Sequence, residues 1–181
     1  MRIGIADHLG WAVVVAADDQ HRVVDRRRID LIGPEHAPAP VHYDRGVSSD
    51  DEVAAAVAAA RVSIAATAGA ALDDLARSLP APVRSLHLRH WPPDFPTEIQ
   101  VIRRSPWEAR ADAVVYRQVL AEVAEARGWA VAAYDAKRVE AEAAAVLGSR
   151  ADDVLFGPRA LLGPPWGKDH RVALAATVVG I

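Results

Sequence analysis

The sequence predicts an α/β domain built on a mixed five-stranded sheet, and two patterns carry that expectation. Residues 2–32 alternate apolar, β-branched runs with tight-turn residues, the mark of an antiparallel three-strand meander. From residue 50 onward, stretches with helical apolar spacing alternate with short apolar runs. Right-handed crossovers then place the later strands parallel to the first. The simplest closure has three antiparallel N-terminal strands, then parallel strands, with helices on both faces, in the order β-β-β-α-β-α-β-α.

The elements read as follows. Arg2-Ile3-Gly4-Ile5-Ala6 is a strand that stops at Asp7, and Asp7-His8-Leu9-Gly10 is a tight turn. Trp11 to Ala17 is the second strand, Asp18-Asp19-Gln20-His21 the second turn, and Arg22 to Ile32 the third strand. A proline-punctuated segment from Gly33 through Ser48-Ser49-Asp50 is long enough to be a functional loop. Asp50-Asp51-Glu52 opens a helix whose apolar face runs Val53, Val57, Ala60, Ile64, Ala71, Leu75 and Leu79; Gly69 is a candidate break, and Pro80 and Pro82 end it. Val83 to Leu88 is a strand leading into His90-Trp91-Pro92-Pro93, and Glu98 to Ile102 a further short strand. Ser105-Pro106-Trp107-Glu108 has the form of a capping box for a helix with Ala111, Val115, Val119 and Val123 inward and a stop at Gly128. Trp129 to Tyr134 is a strand, Asp135 can cap a helix reaching Leu147, and a loop-rich stretch with Gly157-Pro158 and Gly163-Pro164-Pro165 leads to a last helix near Gly167-Lys168-Asp169, with Val172, Ala176 and Val179 inward.

Composition narrows the class. At 181 residues, 51% hydrophobic and 25% charged, the chain reads as one globular domain over 1–181. It has no cysteine, so disulfides, thiolate catalysis and thiolate metal sites are excluded. The net charge of −3 gives no global basic field for nucleic acid, so any such contact needs a local patch. No run reaches the roughly 18 uninterrupted apolar residues of a membrane span, and the N-terminus lacks the apolar core of a signal peptide, so the expected location is the cytoplasm, away from membranes. The seven histidines show neither HxxxH nor HExxH spacing, which argues against zinc, and there is no GxGxxG or phosphate-loop motif.

The element order resembles the ribonuclease H-like superfamily, and within it the RuvC and YqgF type of Holliday-junction resolvases. Ile3-Gly4-Ile5-Ala6-Asp7 followed by Gly10-Trp11-Ala12-Val13 is similar to that family's first strand, aspartate and returning strand, although the turn here is shorter. Asp135 with Val139-Glu140-Ala141-Glu142 resembles the acidic motif after the fifth strand, with residues missing between. Lys168-Asp169-His170 with Val172-Ala173-Leu174-Ala175 is similar to the last-helix aspartate and its alanine-rich continuation. The family's fourth-strand glutamate has no counterpart in Leu86-His87-Leu88-Arg89-His90, and Glu52 could hold the place of the first-helix glutamate of ribonuclease H.

That resemblance implies a nuclease holding two Mg²⁺ or Mn²⁺ ions, with Asp7, Asp135 and Asp169 as ligands and catalytic acids. It implies His170 or His90 as ligand or proton carrier and Arg89 and His90 as contacts to branched DNA or an RNA–DNA hybrid. Each residue also has a plain structural role. Asp7 suits a turn, Asp135 a helix cap, Asp169 and Glu52 the positive ends of helix dipoles, and Glu140 and Glu142 a solvated face. Arg26-Arg27-Arg28 on an edge strand can guard against aggregation or meet nucleic acid, and Trp91 can pack over a loop or form a binding edge. Gly163-Pro164-Pro165-Trp166-Gly167 can position the last helix or face a substrate. Two expectations from different classes therefore stand: a metal-dependent nuclease, and a non-catalytic ribonuclease H-like module for protein interaction or assembly, with a homo-oligomer as one form.

Overall fold

In a computed structural model that describes residues 1–42 and 48–179, the N-terminal meander forms as its pattern predicts. β1 (Arg2–Asp7) pairs antiparallel with β2 (Trp11–Ala17), from Arg2 opposite Ala17 to Asp7 opposite Ala12. β2 pairs antiparallel with β3 (Val23–Asp30), with a register shift between Ala16 and Ala17. The β1–β2 turn closes on Gly10, whose φ of 85° is a left-handed conformation that costs glycine little. The His8 N–H donates to the Trp11 carbonyl at 2.9 Å across it.

The rest of the chain supplies α1 (Asp50–Ser78), β4 (Ser85–Arg89), α2 (Ile99–Ile102), α3 (Ala111–Glu125), β5 (Ala130–Tyr134), α4 (Val139–Leu147), α5 (Ala151–Leu155), α6 (Pro158–Leu162) and α7 (Lys168–Val179). The sheet order is β3-β2-β1-β4-β5, with β4 parallel to both β1 and β5. Alternation along the strands sends Ile3, Ile5, Val14, Leu86 and Leu88 to one face, under α1 and α3. It sends Ala6, Val13, Val15 and Ala17 to the other, under α4 and α7. Each large aliphatic side chain buried this way contributes about 1.5–3 kcal/mol. Gly4 lets α7 lie close on β1: a Cβ there would sit 1.8 Å from the Ala173 carbonyl oxygen.

Three local expectations are corrected. The capping box is at the start of α1, where the Glu52 N–H donates to Ser49 Oγ at 3.3 Å and the Ser49 N–H donates to Glu52 Oε2 at 2.8 Å. It is not at Ser105. The amides of Trp107 and Glu108 both donate to the Arg104 carbonyl, so the donor Ser105 would cap is taken, and α3 begins only at Ala111 after a 3₁₀ turn over Glu108–Arg110. Glu98 to Ile102 is no strand but contains the one-turn helix α2, its Val101 and Ile102 amides bonded back to the Glu98 carbonyl. The stretch before α7 contains α5 and α6, where a loop was expected.

α1 also passes unbroken through Gly69, whose missing side chain admits Arg127 Nη2 to donate to the Gly69 carbonyl at 3.1 Å. By length and composition α1 could span a bilayer. Here it packs as a core helix, with Val53, Ala60, Ile64, Ala68, Leu72 and Leu75 buried. Residues 43–47 of the proline-punctuated loop lie outside the described residues. The part before them is tied to α3: the buried Asp112 carboxylate accepts from the Val41 N–H at 2.7 Å and pairs with His42 Nδ1 at 2.6 Å, and Tyr116 Oη donates to the Pro38 carbonyl at 2.9 Å.

Candidate functional site

β1, β4 and β5 run parallel and end at the same edge of the sheet, where open α/β sheets bind their ligands. A cleft of about 460 Å³ opens there. The chain after β4 lines it with Arg89, His90 and Trp91, and the turn after β5 with Asp135 and Lys137. Arg110 and Arg117 reach it from the start and middle of the third helical segment, Lys168 and Asp169 from the first turn of α7. Five cationic residues thus face two carboxylates, and both lysines of the chain are among the five.

Asp7 does not line this cleft; it lies behind two guanidiniums. Its side chain is 2% exposed and its Oδ2 accepts from Arg117 Nε at 2.9 Å. Arg89 Nε stands 3.8 Å from Oδ1, close enough for an ion pair but too far for a hydrogen bond, and neither atom has another partner. Arg117 is held from a second side by Nη1, which donates to the His90 carbonyl at 3.2 Å. The His90 N–H in turn donates to the Tyr134 carbonyl at 2.8 Å, and Tyr134 Oη donates to the Ile5 carbonyl at 2.7 Å. Burial, and then the charge of Asp7, push the Tyr134 phenol well above its ordinary range, so it remains a donor.

The other acids are engaged as well. Asp135 Oδ1 accepts from the Lys137 N–H at 2.8 Å, a turn that precedes α4; no side chain caps that helix, so the expected N-cap role shifts to the turn. Asp169 Oδ2 meets His8 Nε2 at 3.0 Å, and the His8 ring stacks on Trp11 with centroids 4.1 Å apart. His170 turns away: its Nδ1 accepts from the Gly167 N–H at 3.3 Å and its ring leans on the buried Trp166, where burial and then Arg26 lower its pKa. Glu140 pairs with Arg171 at 2.9 Å, and Glu142 with Arg138 at 3.2 Å.

The sheet therefore gathers Asp135, Asp169, Arg89 and His90 of the expected site residues around one cleft, and leaves out Asp7 and His170. A pair of Mg²⁺ or Mn²⁺ ions needs several hard oxygen ligands shared between them. Among the described residues no group of three or more Asp, Glu and His side chains is placed to hold a metal. Asp7 has Arg117 on one carboxylate oxygen and Arg89 3.8 Å from the other, and Arg89, not a carboxylate, ends β4. The donor set does not fit the metal pair.

Arg110, Arg117, Lys137 and Lys168 are the site residues that motif reading misses. The signal was present for Arg117: it sits one residue after Tyr116 and two before Val119-Leu120, in the apolar body of a helix, where a charge needs a buried partner. The three edge-strand arginines have partners within the fold. Arg26 donates to the carbonyls of Leu162, Gly163, Pro164 and Pro165, which places the Gly163–Gly167 segment ahead of α7. Arg27 pairs with Asp25 and Asp74, and Arg28 lies over Trp11.

This strand order and arrangement of helices define the ribonuclease H-like fold. The comparison with solved structures agrees: the RuvC of T. thermophilus in complex with a Holliday junction substrate superposes with a TM-score of 0.51 at 14% identity, covering 98% of this chain and 90% of that one. A second Thermus thermophilus RuvC structure gives a TM-score of 0.48 at the same identity and coverage. No protein-family model and no curated protein matches the sequence.

Proposed function

We propose that this chain binds structured nucleic acid, branched DNA in the first place, in the cleft at the end of β1, β4 and β5. The observation that carries the reading is the concentration of Arg89, Arg110, Arg117, Lys137 and Lys168 in one cleft of a protein whose net charge is −3. A local cationic patch of this kind neutralises phosphates and releases their counterions. The RuvC that shares the fold was solved on a Holliday junction, which makes four-way DNA the first ligand to test. The proposal is binding without metal-dependent hydrolysis, because the acids that would hold the ions are engaged with arginine, histidine and backbone.

Fluorescence anisotropy with a labelled four-way junction, measured over a range of KCl, tests it. Binding is expected to weaken steeply with salt, and Lys137→Ala/Lys168→Ala to flatten the slope of log K against log salt by up to about two, close to 0.9 per lost phosphate contact. Mn²⁺ is expected to produce no cleavage. Absence of junction binding at low salt, or an unchanged slope in the double variant, sinks the proposal.

A second reading, an assembly module, is favoured by one observation. Leu161 and Leu162 are exposed and line a cavity of about 420 Å³ between the β2–β3 turn and α5–α6, and Leu161 is 85% exposed. If this ridge holds copies of the chain together, light scattering will show an oligomer that Leu161→Glu converts to monomer. A wild-type monomer at all concentrations counts against it.

A further inference from the structure

We infer that the Arg117 guanidinium occupies the place of a metal cation in this cleft, as a phosphate-binding group, and that Asp7 is its positioning residue. The inference deepens the proposed function and rests on it only for the identity of the phosphate-bearing ligand.

Three features of the geometry carry it. Arg117 is fixed from two directions, by Asp7 Oδ2 on Nε at 2.9 Å and by the His90 carbonyl on Nη1 at 3.2 Å. Its Nη2 makes no hydrogen bond to the described residues, is not among the buried unpartnered atoms, and belongs to a residue on the cleft wall. A guanidinium so held presents a preset donor to a phosphate oxygen with little side-chain entropy left to lose. Finally, Asp7 has lost its access to the cleft, because Arg117 and Arg89 stand between.

A divalent ion approaching Asp7 would have to displace the Nε–H···Oδ2 bond and sit against two guanidiniums that cannot shed their protons. It would gain one free carboxylate oxygen, far short of the six or more that a hard cation takes. The same acid at the end of β1 that could bear a metal instead bears an arginine supplied by α3. The cleft keeps a fixed positive charge at that point and needs no ion to provide it.

Two measurements decide it. The first is the melting temperature of the wild-type protein with Mn²⁺ added, which is expected to stay where it is. A rise with Mn²⁺ that Asp7→Asn removes would overturn the inference. The second is the salt slope of junction binding in Arg117→Gln and Arg117→Lys. Glutamine is expected to lower the slope by about 0.9 and lysine to restore it, since one phosphate contact is lost and regained as charge. A purely structural role would leave the slope unchanged, and that result overturns the inference. If Arg117→Gln does not fold, Asp7→Asn/Arg117→Gln removes both charges together and is read in the same way. Failure of the wild-type protein to bind any junction DNA would remove the proposed function, while the Mn²⁺ measurement would still decide what stands beside Asp7.

Discussion

Asp7→Asn is expected to destabilise the protein by about 4 kcal/mol, read as a lower urea midpoint with an unchanged denaturant slope. Asp7 and Arg117 have side chains only 2% and 10% exposed, so each is held out of water by the fold and is the counter-charge of the other. Asparagine keeps the shape and an acceptor oxygen but leaves the Arg117 guanidinium buried without a counter-ion, and Arg89 loses the same partner. The sign is what makes the measurement decisive. In a cluster of carboxylates awaiting metal ions, neutralising one acid relieves like-charge repulsion and stability holds or rises. Here it should fall. An unchanged or higher midpoint in Asp7→Asn would mean that Asp7 belongs to an acidic cluster after all.

The second large effect is on pH dependence and comes from His87. This residue is 1% exposed on the central strand β4, with Nε2 at 2.8 Å from Ser85 Oγ and Nδ1 unpartnered. Burial, and then the charge of Arg2, lower its pKa from 6.5 to about 4. The folded protein therefore keeps His87 neutral while the unfolded chain takes up a proton below pH 6.5. Stability from this group is complete above pH 6.5, falls as the pH drops toward 4, and levels off once the folded form is protonated as well. The loss over that window is about 3 kcal/mol, from about 1.4 kcal/mol per pKa unit. Urea denaturation between neutral pH and pH 4 measures it. His87→Gln, which cannot take up the proton, is expected to flatten the profile in that window, and an equally steep fall in the variant would assign the effect elsewhere.

How much of this was legible beforehand depends on how far apart in the chain the partners lie. The meander was readable because β-branched alternation, turn residues and pairing all act within the first thirty residues: β2 has the predicted bounds Trp11–Ala17, and β1 ends at Asp7. The apolar stripe of α3 was readable for the same reason, since Ala111, Val115, Val119 and Val123 repeat at helical spacing and are all buried. The start of that helix was not. Whether Ser105 caps it depends on where the Glu108 amide is spent, and that amide is bonded to the Arg104 carbonyl. At Ser49 the same motif type works, because there the Glu52 amide donates to the serine hydroxyl.

The site divides along the same line. Chain order and periodicity place Asp7, Arg89 and Asp135 at strand ends and Asp169 at a helix start, because each follows from a local boundary, while their meeting at one edge of the sheet was implied by the resemblance in element order. What sits against Asp7 does not follow from any local pattern. Arg117 lies 110 residues away, and it reaches Asp7 only because α3 packs across β4 and β5 with that side chain turned inward. Local backbone preference and hydrophobic period therefore account for the ribonuclease H-like scaffold and for which acids approach its edge. The packing of α3 decides that the first of those acids meets a guanidinium, because a charge carried into a low-dielectric core must find its counter-charge wherever the fold brings one within reach.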